Sequence, residues 1–210
     1  MTAEVPAIPA GHGAPLAASS GHAQRGISNP ILGMILFITS EVMFFSGLFA
    51  AYFATRAANA ADWPPSVFEG ILDPLGLIMI ATIILIASSF TCQFAVWSIR
   101  RGDRRGFVRN TAITFILGVI FLGMQAIDYA ILFGEGLTLA SGPFGTTYFT
   151  LTGFHGAHVF GGVLMLGVIL YRGMAGQFSA KHHDAVEAVS LYWHFVDVVW
   201  ILLFSILYLL

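Results

Sequence analysis

Two short motifs set a histidine three residues from a second ionisable side chain, His155-Gly-Ala-His158 and His194-Phe-Val-Asp197. The i, i+3 spacing puts each pair on one side of a helix. Glu41 and Asp128 add two carboxylates, each inside an otherwise apolar run. Imidazole and carboxylate together suit three kinds of chemistry. They ligate Zn or Fe; they handle protons, where a buried carboxyl with a raised pKa lies beside a histidine; or they hydrogen-bond one helix to another. No Glu-x-x-His of the diiron type, no HExxH and no thiolate set is present, since Cys92 is the single cysteine. The residues therefore favour interhelical hydrogen bonds, then proton handling, and assign no metal site.

The elements that must position these residues are membrane spans. The chain of 210 residues is 57% hydrophobic and 10% charged, with a mean hydropathy of +0.83, well outside the balance of soluble domains. A net charge of -2 argues against a nucleic-acid partner. Residues 1–28, rich in Ala, Gly, Pro and Ser, read as a flexible cytoplasmic tail rather than a signal peptide. Residues 29–210 then form one all-α transmembrane domain of five helices, expected at about 30–53, 75–99, 111–133, 146–171 and 186–210. Ser28-Asn29-Pro30 supplies a cap and a first-turn proline for the first of them.

Orientation follows from the basic residues. Arg25, then Arg100, Arg101, Arg104, Arg105 and Arg109 of RRGDRRGFVR, then Arg172 and Lys181 fall on one side, against Arg56 on the other. The positive-inside rule places the N-terminus in the cytoplasm and the C-terminus outside. The five-arginine cluster is a topology anchor that also meets lipid head groups. Asp62, Glu69, Asp73 and Glu135 give the outer loops a weakly acidic character.

A buried ionisable group costs at least about 2.5 kcal/mol in a bilayer, so these residues mark function or tight pairing. At about 1.5 Å of rise per residue, Glu41 lies about 16 Å from the cytoplasmic end, His158 about 20 Å, His155 about 24 Å, Asp197 about 16 Å and His194 about 12 Å. Glu41, His158 and Asp197 are thus expected to meet at one level in a polar seam, with Asp128 nearer the outer interface and Glu41 bonded to His158. Gly153, Ala157 and Gly161 form a small-residue stripe expected to let another helix approach closely. The nineteen phenylalanines read as bundle packing.

TSEVMFFSGLFAAYF (39–53), LTGFHGAHVFGG (151–162) and YWHFVDVVW (192–200) closely resemble motifs of subunit III of the haem-copper cytochrome c oxidases, in the family's order over essentially all of residues 30–210. The resemblance implies an accessory, non-catalytic subunit of a bacterial aa3-type oxidase in the plasma membrane. Haem and copper would be held by subunits I and II, with no redox centre in this chain. It also implies bound structural phospholipids, support of proton uptake by subunit I and protection of the catalytic centre during turnover. Supercomplex assembly with a cytochrome bc complex is a further implied partnership.

Glu41 falls on the family's buried glutamate, His155 and His158 on its paired histidines, and His194 and Asp197 on its Trp-His-Phe-Val-Asp motif. Asp128 departs from the pattern, standing where the family more often has Glu before Tyr. The mitochondrial form has seven helices, and this chain is expected to begin at the family's third. A subunit of a quinol oxidase or a nitric oxide reductase-associated protein is the near alternative. A freestanding proton or small-solute transporter is the distant one, with no internal repeat to support it.

Overall fold

The computed structural model describes residues 28–65 and 75–209. The expected tail and the linker carrying Glu69 and Asp73 lie outside the described residues, as does Leu210 at the end of the last expected helix. Five helices follow in order: α1 Asn29–Ala58, α2 Leu77–Arg100, α3 Arg104–Gly134, α4 Pro143–Met174 and α5 Asp184–Phe204. All five are long and apolar enough to cross a membrane, and no strand occurs among the described residues.

Local chemistry sets the ends. Pro30 and Pro143 stand in the first turns of α1 and α4, where no intrahelical N–H partner is lost. Asp103 caps α3 by accepting from the Gly106 N–H at 2.9 Å, so this helix starts at Arg104 rather than near Thr111. Arg104, Arg105 and Arg109 therefore stand on its first turns instead of in a loop. The turn between α2 and α3 passes through Gly102 at φ +77°, a left-handed conformation that favours glycine. Beyond Phe204 the last span continues as a π-helical segment, Ser205–Leu209.

Helices α2, α3 and α4 form a row, and α5 packs against α1, α2 and α4. Of the five spans α5 is the most buried and α1 the least. Trp193 is the centre of this arrangement. Its indole N–H donates to Ser88 Oγ of α2 at 2.9 Å, while its ring fills the space left by glycines on two further helices. A Cβ at Gly118 of α3 would come within 2.7 Å of the ring, and one at Gly162 of α4 within 2.8 Å. Two turns on, the Trp200 N–H donates to Thr82 Oγ1 at 2.9 Å. Without an apolar driving force between helices in lipid, small residues that admit a large ring and hydrogen bonds that cross between helices hold the bundle.

The expected stripe of Gly153, Ala157 and Gly161 is not where helices come closest. Added Cβ atoms at Gly153 and Gly161 would make only ordinary contacts, at 3.8 and 3.6 Å, and Ala157 is exposed. On α4 the close approach instead falls at Gly173, where a Cβ would meet the Phe107 ring at 2.5 Å, at Gly162, against Trp193, and at Gly156, where a Cβ would meet Gln125 Oε1 at 2.9 Å. The stripe was read from spacing alone, whereas the approach follows the three bulky side chains, Phe107, Trp193 and Gln125, that the neighbouring helices present.

Candidate functional site: polar clusters inside the bundle

The i, i+3 pair on α4 is divided between two environments. His158 turns toward α1, and its Nε2 lies 2.8 Å from Glu41 Oε2. Its Nδ1 lies 2.7 Å from the Phe154 carbonyl. Because a carbonyl only accepts, Nδ1 carries a proton, and Nε2 is left to face Glu41. One proton then sits between Oε2 and Nε2, whether drawn as glutamic acid with neutral imidazole or as glutamate with imidazolium. In either form the pair is neutral overall, the condition under which it is tolerated at membrane depth. The ring of Phe45 meets the imidazole edge-on at 5.0 Å, and Phe44 stacks on it at 6.1 Å. The Tyr192 hydroxyl donates to the His158 carbonyl at 3.0 Å, tying α5 to the same turn of α4.

His155 faces the interior and is fully buried. It stacks on Trp200 at 4.9 Å and meets the edge of Phe121 at 6.2 Å, and neither ring nitrogen has a hydrogen-bond partner among the described residues. The seam expected to join Glu41, His158 and Asp197 is therefore interrupted.

Asp197 turns instead toward α2, where Ser89 Oγ donates to its Oδ2. The same Oγ lies 3.0 Å from His194 Nδ1. With its only proton given to Asp197, the Ser89 oxygen accepts from His194 Nδ1–H. The result is a directed chain, His194 to Ser89 to Asp197, across the α2–α5 contact. Cys92 Sγ to Ser190 Oγ at 3.5 Å lies along the same contact. Nearer the other end, the Tyr148 hydroxyl reaches Asp128 Oδ2 at 3.5 Å and also bonds the Tyr208 hydroxyl. Beside it, Tyr129 bonds Thr152 Oγ1 at 2.6 Å and Gln125 Nε2 donates to the Thr152 carbonyl at 3.0 Å.

Sequence reasoning found the ionisable members of these clusters but missed their neutral partners, Ser88, Ser89, Gln125, Tyr148, Thr152 and Tyr208. The adjacent serines in the apolar run of α2 were the available signal. As a metal site the donors do not fit. Glu41 and His158 are a set of two, Ser89 stands between His194 and Asp197, and no three His, Cys, Asp or Glu side chains converge among the described residues.

Among the arginines, Arg100 pairs with Glu187 Oε1 at 2.8 Å, an oxygen that His183 Nε2 also approaches at 3.0 Å. Arg104 donates to the carbonyls of Gly173, at 3.1 Å, and of Met174, at the end of α4. Arg100 and Arg104 thus fasten the ends of α5 and α4 to the α2–α3 hairpin.

These features define a polytopic helical membrane protein whose buried polar groups mostly bind one another. The family model for cytochrome c oxidase subunit III matches residues 17–210. The chain is 41% identical over 177 residues to the probable cytochrome c oxidase subunit 3 of Mycobacterium leprae, covering 84% of this chain and 86% of that protein. The Nocardia farcinica protein of the same description is also 41% identical over 177 residues, with the same coverage of each chain. The cytochrome c oxidase subunit 3 of Cyprinus carpio is 42% identical over 180 residues, covering 84% of this chain and 67% of that protein. The chain belongs to the cytochrome c oxidase subunit III family.

Proposed function

We propose that this chain is the accessory third subunit of a bacterial aa3-type cytochrome c oxidase in the plasma membrane, with its N-terminus cytoplasmic and its C-terminus outside. Haem and copper reside in subunits I and II, and this subunit contributes stability, structural phospholipid binding and support of proton uptake and sustained turnover by subunit I. A cytochrome bc complex is its supercomplex partner.

The observation that carries this reading is the Glu41–His158 pair. It closes on itself with one shared proton, so this acid–base pair is committed to helix pairing rather than to a redox ligand. Ser89 does the same for His194 and Asp197. Relatives in Mycobacterium and Nocardia support the bacterial setting. The test is purification in mild detergent. The chain is expected to co-migrate with haem-bearing subunits, and a haem-free chain that conducts protons in liposomes would sink the assignment.

A further inference from the structure

Five arginines cluster where α2 gives way to α3, but the structure divides their work. Arg100 is paired with Glu187 and Arg104 is bound to two α4 carbonyls. Arg105 and Arg109 are exposed, and no hydrogen bond or ion pair holds either among the described residues. The nearest carboxylate on their own helix end, Asp103, is engaged by the Gly106 N–H. Arg104, Arg105 and Arg109 line a groove of about 500 Å³ whose remaining wall is apolar, Val108 and Met174. The N-terminus of α3 adds its positive dipole end at the same place.

The α3 surface continues the pattern. Ile113, Ile116 and Ile120 are exposed and follow Arg105 at i+8, i+11 and i+15 and Arg109 at i+4, i+7 and i+11, which keeps all five on one face. Two free cations at the membrane end of a helix, one turn apart, thus lead directly into an apolar stripe that runs into the bilayer. Guanidinium groups match phosphate oxygens, and the stripe matches acyl chains. A free phosphate would leave Val108, Met174 and the isoleucines unmatched.

We propose that Arg105 and Arg109 bind the phosphate of one anionic phospholipid whose chains lie along Ile113, Ile116 and Ile120. This deepens the phospholipid part of the function proposed above and rests on that reading for the complex in which it is tested. Bound phosphatidylglycerol is measured by mass spectrometry on the purified oxidase during exchange against phosphatidylcholine. Arg105→Gln/Arg109→Gln is expected to retain it about 30-fold more weakly, at about 1 kcal/mol per arginine near the surface. Arg101→Gln, outside the groove, is expected to leave retention unchanged, and inorganic phosphate to displace no more lipid than chloride at equal ionic strength. Unaltered retention in the double variant, or displacement by inorganic phosphate, overturns the proposal.

If the double variant does not assemble, a phosphatidylglycerol with a photoreactive acyl chain decides the matter on the unaltered complex. Labelling on 113–120 supports the site, and labelling confined to other helices overturns it. Should the chain purify without haem-bearing subunits, the oxidase assignment falls, and the same exchange on the isolated chain still decides the arginine site.

Discussion

Glu41 on α1 and His158 on α4 meet at 2.8 Å, with the other imidazole nitrogen committed to the Phe154 carbonyl at 2.7 Å. This contact gives the least buried helix a specific polar attachment to the rest of the bundle. Glu41→Ala leaves His158 Nε2 without its partner and is expected to cost about 1–3 kcal/mol. Glu41→Gln, which keeps a donor at that position, should cost less. Reversible unfolding in mixed detergent micelles measures both, and a Glu41→Ala variant as stable as the parent would show that the contact contributes nothing to the bundle.

Ser89 serves two partners at once. Ser89→Ala removes the bonds to both His194 and Asp197, and a loss of about 1–3 kcal/mol is expected because the His194 Nδ1–H donor and the buried Asp197 acceptor are left without their partner. Ser46→Ala is the comparison, since Ser46 only bonds back to Val42 on an exposed helix face; it should fall within about 0.5 kcal/mol of the parent. The same unfolding assay separates the two. A Ser89 variant as stable as the Ser46 variant would remove the directed chain from the account.

Trp193 predicts a contrast among glycines of one helix. Gly118→Leu drives a side chain into the indole and is expected to destabilise by about 1–3 kcal/mol. At Gly123 an added Cβ meets nothing within 4 Å, so Gly123→Leu should be near neutral. Intrinsic tryptophan fluorescence in the Gly118 variant should shift as the ring is displaced; unchanged fluorescence and stability would contradict a filled seat.

These cases show what could be read from residues alone. Five spans were legible because lipid demands long apolar runs, and the ionisable residues stood out because each is expensive there. The pairing of Glu41 with His158 followed from depth along each helix. Asp197 was estimated at nearly the same depth yet turns to α2, because depth says nothing of azimuth and Ser89 is nearer in rotation. His155 shared a face with His158 by spacing, but the face is wide enough for one ring to meet Glu41 and the other Trp200. The Gly153–Ala157–Gly161 stripe misled for a related reason, since small residues permit approach and large neighbours decide where it occurs. The start of α3 was missed because the apolar run begins at Thr111 while Asp103 caps the helix earlier.

The proposed orientation makes a labelling prediction. Arg101→Cys, in the turn between α2 and α3, should react with a membrane-impermeant maleimide only after the cells are opened. Glu135→Cys, just beyond α3, should react in intact cells. Native Cys92 is buried and contributes little background. The reverse pattern would invert the topology.

The central claim is that this subunit sustains the oxidase without holding a redox centre. Comparing the purified complex with and without this chain tests it most directly, by haem and copper content together with the number of turnovers before inactivation. Unchanged haem and copper and a shortened active lifetime are expected. Loss of haem or copper on removal of the chain, with subunits I and II retained, would contradict it.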